Sequence, residues 1–233
     1  MAMHIRIAQG HSPPPNPNGA TVVIDVIRAF TTAHYAFVGG AREIRLVANA
    51  DAALLLKTHD TSLLLAGEID ALPIAGFDFG NSPHEIRQSD VRDRTLVQRT
   101  TNGVIATLAA RHSAAVLVAG LVNAEATARW LLQQNYQDIL LVASHPDGDE
   151  DVACAEYLRG LLGGEGISLE DAIRRTRQAS AAAKFLNGSH PQLPAEDIAL
   201  AAASAGHDGT VMRVQFGQAG GDIPSIRAVS SGH

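Results

Sequence analysis

One cysteine in 233 residues, Cys154, rules out a disulfide within the chain and fits a reducing compartment. Lysine is nearly missing as well: Lys57 and Lys184 stand beside sixteen arginines, which leaves few amines for chemistry. No run approaches the roughly 18 apolar residues that span a bilayer, and the N-terminus lacks the basic-then-apolar layout of a secretory signal. A cytoplasmic protein with no membrane partner is expected. The net charge of -6 offers no basic face for nucleic acid or anionic lipid. No G-x-G-x-x-G follows a strand-like run and no Walker lysine exists, which removes the dinucleotide and nucleoside-triphosphatase readings. The common aspartyl-phosphatase pattern fails too, because Ile27 stands two residues after Asp25, where that pattern needs an acid.

What is present is a globular composition, 46% hydrophobic and 18% charged. The length allows one large domain or two small ones. Short aliphatic runs at 21–27, 43–48, 62–66, 95–99, 114–119 and 138–143 read as strands. They alternate with helix-like stretches at about 29–38, 50–58, 103–112, 124–135 and 150–162, several opened by a capping residue such as Asn49, Asn102 or Asn123. Nearly all-apolar strands must be covered on both faces. The expected architecture is therefore an α/β/α three-layer fold with a largely parallel or mixed sheet. Residues 1–233 are expected to form one domain, with a core at about 21–162 and a helical C-terminal extension at about 163–233. In the extension the pattern predicts a long helix at 168–186, another near 194–205, a strand at 211–216 and a loosely held last dozen residues.

The unusual residues fall at the carboxyl ends of the predicted strands. Asp25 and Arg28 follow the first, Glu68 the third, Thr100-Thr101-Asn102-Gly103 the fourth, Asn123 the fifth, and Asp147, Asp149, Glu150 and Asp151 the sixth. A parallel sheet would send all these loops to one edge. Carboxylates without a histidine-cysteine cluster suit a hard cation such as Mg2+ rather than zinc. Thr-Thr-Asn-Gly at a strand-to-helix junction offers hydroxyls and free backbone N–H groups to an anion, and Arg28 adds a planar fork. Metal and anion seat together suggest phosphate-ester hydrolysis. Plainer roles are also open: Ser82-Pro83-His84-Glu85 fits a helix-initiating capping box, Glu150 and Asp151 could oppose a helix dipole, and Asn123 could be a simple cap. Asp25, flanked by apolar residues in VVIDVI, needs a partner or a metal if ionised. Cys154, among apolar neighbours, reads as an inert buried thiol.

The ordered set VVIDVIRAFTT (22–32), AGEIDALPIAGFDFGNSP (66–83), RTTNG (99–103), AGLVNA (119–124) and EDVACA (150–155) resembles the 2-phosphosulfolactate phosphatase family over about residues 21–160. The resemblance implies an α/β fold, self-association as a homodimer, and Mg2+-dependent hydrolysis of 2-phosphosulfolactate to sulfolactate, a step toward coenzyme M. It assigns Mg2+ to a subset of Asp25, Glu68, Asp78, Glu150 and Asp151, and catalysis to Asp25, Arg28, Glu68 and Asp151. Substrate contacts fall to Arg28, Asn81, Ser82, Thr100, Thr101, Asn102, Gly103 and Asn123, with the phosphate on Thr100–Gly103 and the carboxylate or sulfonate end on Arg28 and Asn81. Attack by an aspartate and attack by metal-activated water both remain open, the latter preferred. This chain departs from the family pattern at Ile69, where a basic residue is usual, and at Ser144 and His145, where small residues are expected. These departures bear on the substrate, which could be another phosphorylated hydroxy acid or a sugar phosphate, more than on the reaction. A non-catalytic anion-binding protein is the alternative from a different class.

Overall fold

The run Ala-Thr-Val-Val-Ile, released from the Pro- and Asn-rich turn before it, forms β2 (Ala20–Ile24), buried at every position. Successive side chains point to opposite faces, so Val22 and Ile24 join one core while Val23 joins the other. Both faces of the sheet are therefore covered. The computed structural model describes residues 3–188, 190–217 and 222–229.

Two sets of parallel strands make up most of the sheet. β1 (His4–Gln9), β8 (Asp138–Ala143), β2 and β7 (Ala115–Ala119) are neighbours in that order, and β3 (Glu43–Leu46), β6 (Thr95–Arg99) and β4 (Leu64–Ile69) form the second set. A two-residue β5 (Leu72–Pro73) closes the far edge. Between the sets lie β9 (Val211–Gln215) and β10 (Ser225–Val229), antiparallel to each other and to their neighbours β7 and β3.

The helices follow the strands as expected: α1 (Ala29–Val38), α2 (Ala50–His59), α4 (Gly103–Ala109), α5 (Ala124–Gln134) and α6 (Asp149–Leu161), with a short α3 (Pro83–Arg87) after the 66–83 stretch. On one face α5 and α6 bury Trp130, Leu131, Cys154 and Leu158 against Leu117 and Leu141. On the other, α1 and α4 bury Phe30 and Val104 against Ile44, Leu96, Val118 and Val142, which draws residues of both parallel sets into one core. The three-layer α/β/α fold is present. Burial raises the Cys154 thiol well above its usual range, which leaves it un-ionised and inert.

The sheet differs from the simple expectation in one respect that governs the site. Three antiparallel steps separate β7 from β3, so the two parallel sets run in opposite directions. In a flat sheet their carboxyl ends would lie at opposite edges. Yet the loop after β6 hydrogen-bonds to the loop after β2, through Gly103 N–H and Asp25 Oδ2 at 2.9 Å. Twist of roughly 20–25° at each intervening step, with both sets wrapped on α1 and α4, swings the two sets of ends together.

The C-terminal region also differs. The expected 168–186 helix is two, α7 (Leu169–Gln178) and α8 (Ser180–Leu186), with an extended break at Ala179. Arg175 of α7 pairs with Asp149 and Glu156 of α6, whereas Phe185 of α8 packs on Arg28 at the end of β2. A straight helix could not reach both. A last helix, α9 (Ala195–Ala201), follows. Of the last dozen residues, 225–229 form the inner strand β10 rather than a loose end, and 230–233 lie outside the described residues. β1, which the sequence pattern did not suggest, pairs along its whole length with β8.

His34, on α1, is buried with its ring edge-on to Tyr35 and its Nδ1 accepting from Thr210 N–H at 3.4 Å. Burial lowers its pKa from 6.5 to about 4, so the folded state holds the neutral ring. As pH falls the unfolded chain gains the proton first, so this stability is complete above the unfolded value and is lost down to the folded one, by roughly 3 kcal/mol in all. Denaturant midpoints measured between pH 7 and 4 should fall in the native chain and fall less in His34→Asn, which keeps an acceptor but cannot titrate.

Candidate active site

β2 ends at Ile24 and hands the chain to Asp25, whose side chain closes the gap between two helices. Its Oδ1 accepts from Ala29 N–H, at the start of α1, and its Oδ2 from Gly103 N–H, at the start of α4, both at 2.9 Å. A side chain at 103 has no room: a Cβ there would sit 2.6 Å from Asp25 Oδ2. The partner that a carboxylate in VVIDVI required is thus a pair of backbone amides.

Glu68 lies within β4 near its end, not beyond it, and is held the same way. Thr101 N–H donates to its Oε1 at 2.5 Å, and Ala71 N–H and the Thr101 hydroxyl donate to Oε2 at 2.6 and 3.1 Å. The turn carrying Ala71 joins β4 to β5 with φ of 52° at Asp70 and 72° at Ala71, a primed hairpin turn that usually selects Asn-Gly. Ala71 is fixed there through its N–H on Glu68 and its carbonyl, which accepts from Arg28 Nη2 at 2.9 Å. Asp151, in the first turn of α6, accepts from Val26 N–H at 2.8 Å, His145 N–H at 3.1 Å and the Ser144 hydroxyl at 3.2 Å.

Asp25 and Glu68 face a cavity of about 260 Å³ whose lining also includes Arg28, Asn81, Thr101 and Asn102. His145 and, from α8, Lys184 and Phe185 complete its wall. Glu150 and Asp151 do not line it but stand close enough to act on its charge. Burial pushes the Asp25 carboxyl up to about 6, aided by the Glu68 and Glu150 charges. Burial also raises Glu150, and it raises Asp151 well above the usual carboxylate range with help from Asp25 and Glu150. The cluster carries more negative charge than its surroundings balance.

Several expected roles change once these contacts are known. The Thr100–Gly103 amides do hold anions, but the anions are the protein's own: Thr101 N–H is taken by Glu68 and Gly103 N–H by Asp25. Thr100, fully buried, accepts from Val104 N–H at 3.1 Å and caps α4, while Asn102 Oδ1 pairs with His11 Nε2 at 2.6 Å. Arg28 is neutralised: Nη1 donates to Asp197 at 2.7 Å and the guanidinium lies 4.6 Å from the Phe185 ring centroid. Ser82 caps α3 by accepting from Glu85 N–H at 3.1 Å and donates to Asp197 at 2.6 Å. Asn123 is structural, accepting from Gly120 N–H at 3.0 Å and donating to the Thr210 carbonyl at 2.8 Å.

Asp78 does not join the cluster. It pairs with Lys57 and accepts from Leu65 N–H at 2.7 Å. Leu65 precedes Glu68 by three residues on β4, roughly 10 Å at the rise of a strand. The part of the 66–83 stretch beyond β5 therefore returns beside β4, with Ala66 bridged to Phe79, and brings Asn81 to the cavity.

Among the described residues no three His, Cys, Asp or Glu side chains already stand as a metal cage. Among the described residues, the buried acceptors without a partner nevertheless include Glu150 Oε2 and the cavity-lining Asn81 Oδ1. A buried acceptor without a donor is costly, and acids that raise one another's pKa call for a cation. Mg2+ binds through one or two carboxylates and keeps its waters, which are donors. Asp25 and Glu68, both on the cavity wall, offer the one or two carboxylates that such an ion takes.

Sequence patterns did not single out Asp197, Lys184 or Phe185. Asp197, in the first turn of α9, looked like any helix-opening acid; only its fully buried position shows that it ties together Arg28, Ser82 and the His84 N–H. Lys184 and Phe185 could have been noticed as a rare lysine beside a rare aromatic, but nothing local pointed them at β2.

A model of the family described as 2-phosphosulpholactate phosphatase matches residues 7–201. A Bacillus subtilis protein named probable 2-phosphosulfolactate phosphatase is 42% identical over 230 residues, covering 97% of this chain and 99% of that protein. Proteins of the same name from Deinococcus radiodurans and Synechococcus sp. are 43% identical over 148 residues and 36% identical over 178, covering 62% and 72% of their own lengths.

Two substitutions test the scaffold of the site. Asp197→Ala leaves the Arg28 charge buried and unpaired and should lower unfolding free energy by about 3–5 kcal/mol. Gly103→Ala drives a methyl into Asp25 and should lower it by about 1–3 kcal/mol, the range for overpacking. Equilibrium urea unfolding measures both; a change under 0.5 kcal/mol (about the surface-substitution level) in either would show that the contact is dispensable.

Proposed function

The chain belongs to the 2-phosphosulpholactate phosphatase family, and from that premise we propose that it hydrolyses a small acidic phosphate monoester, 2-phosphosulfolactate, to sulfolactate and phosphate with Mg2+. The observation that carries this reading is the meeting of Asp25 and Glu68, from separate parts of the sheet, on the wall of a small polar cavity, with Glu150 near enough to raise the pKa of Asp25 and of Asp151, its neighbour on α6. Such an arrangement is expensive to fold, and it suits a site that gains a cation and a substrate.

When bound, Mg2+ would neutralise phosphate oxygens and favour attack on phosphorus. Asp25 and Glu68 would hold it, with the Glu150 charge behind them. The backbone amides of Ala29, Gly103, Thr101 and Ala71 fix the two cavity carboxylates in orientation; both Asp25 oxygens and Glu68 Oε1 keep a further lone pair, while Glu68 Oε2 spends both on Ala71 N–H and the Thr101 hydroxyl. Asp151 positions the Val26 and His145 amides and so the loops after β2 and β8. Asn81 and Asn102 present amide groups to the cavity and would meet the phosphate or the ester oxygen. Asp25 or Glu68 would take a proton from the attacking water as its oxygen bonds to phosphorus, the P–O bond to the hydroxy acid would break, and the same carboxyl would return that proton to the leaving oxygen as sulfolactate departs.

Phosphate release from 2-phosphosulfolactate should require Mg2+, stop with EDTA and return when Mg2+ is restored in excess. Asp25→Asn should lower the rate at least about a hundredfold, within the range for removing an acid-base group. Undiminished turnover in EDTA would overturn the metal, and tight binding of the ester without phosphate release would favour a non-catalytic anion receptor.

A further inference from the structure

Three cationic or potentially cationic side chains face the cavity: Arg28, His145 and Lys184. The first is already matched by Asp197 and covered by Phe185. His145 uses Nδ1 to accept from Asp147 N–H at 3.1 Å. Lys184, half-buried on α8, has no carboxylate within ion-pair distance among the described residues, although its charge is felt at Glu150. The adjacent Phe185 is buried against Arg28, which anchors α8 and turns position 184 toward the cavity. One ammonium without a carboxylate partner among the described residues, 5.9 Å from the centroid of the neighbouring Phe185 ring, therefore stands on the C-terminal helices at a pocket built by the loops of the sheet.

A phosphate ester that also bears a sulfonate or carboxylate brings a second anion into a site already rich in acid. The cation expected at the carboxylates serves the phosphate end. The second anion needs its own counter-charge, and Arg28 cannot supply it without giving up Asp197. Resting on the phosphatase reading above, we propose that Lys184 is the specificity-determining residue that receives the second acidic group of the substrate. An ammonium on a flexible stem suits this task, because it can follow either a tetrahedral sulfonate or a planar carboxylate, whereas Arg28 is fixed in one plane. The site thereby selects phosphorylated acids over neutral phosphate esters of equal size.

The test compares 2-phosphosulfolactate and 2-phospholactate, both acid-bearing, with glycerol 2-phosphate, which has hydroxyls in place of acids. In Lys184→Met the ratio of kcat/KM for an acid-bearing ester to that for glycerol 2-phosphate should fall about tenfold or more, the loss lying mainly in KM. Lys184→Arg should recover most of it. A larger fall with 2-phosphosulfolactate than with 2-phospholactate would assign the ammonium to the sulfonate, and equal falls to the carboxylate. If all three esters lose rate alike, Lys184 serves only to balance Glu150 and the proposal fails; an unchanged ratio with unchanged rates overturns it as well. If the native chain hydrolyses none of them, the phosphatase reading is what has failed. Calorimetric binding of 2-phosphosulfolactate then still decides the role of Lys184: a tenfold weaker Kd in Lys184→Met supports it, and an equal Kd overturns it.

Discussion

The carboxylate of Asp25, clasped between the first amides of α1 and α4, is the contact on which the site depends. It joins the two parallel sets of strands at the point where their carboxyl ends meet. Neither set could place a site alone. One contributes Asp25 and Asp151, the other Glu68 and the Thr101–Gly103 turn, and they run in opposite directions until twist brings their ends together. Gly103 matters here for a steric reason, since the amide must approach Asp25 more closely than any side chain would allow.

Around that clasp the molecule accumulates acids and then restrains them with neutral donors rather than with cations. Glu68 and Asp151 are each held by backbone N–H groups and a hydroxyl. Backbone dipoles fix geometry while leaving net charge nearly untouched, and so the carboxyls still elevate one another's pKa. The arginine that might have cancelled this charge is turned away to Asp197. Arg28 and Asp197 serve to bind α8, α9 and the start of α3 to the end of β2, completing the wall of the cavity with residues far away in sequence.

Most of the layer architecture was legible because it rests on local patterns. Buried strands such as 115–119 and 139–143 are unbroken aliphatic runs, and α1 and α5 begin and end within about a residue of the expected bounds. The direction of the second strand set was not legible, because it is decided by β9 and β10, whose pairing partners are set by topology rather than by any pattern in their own residues. Of the polar residues picked out in the sequence, Asp25, Arg28, Glu68, Asn81, Thr101 and Asn102 share one cavity, whereas Asp78 pairs with Lys57, which lies on a helix earlier in the chain. What each residue does was less legible. Asn123, Ser82 and Thr100 have the same composition whether they grip a ligand or a neighbouring backbone, and only the hydrogen bonds tell the two apart. Lys184 and Asp197 sit on ordinary helices whose orientation is fixed by contacts across the molecule.

The place of β9 and β10 in the middle of the sheet bears on how the protein is made. A ribosome produces β3 and β7 long before the two strands that will separate them, so each waits with an unpaired edge while the chain lengthens. Such edges are sticky, and the sheet stays in two pieces until residues 211–229 emerge. The candidate pocket is consequently completed late in biosynthesis, and a translation product interrupted before residue 211 would carry every acid of the site without the strands that join the sheet.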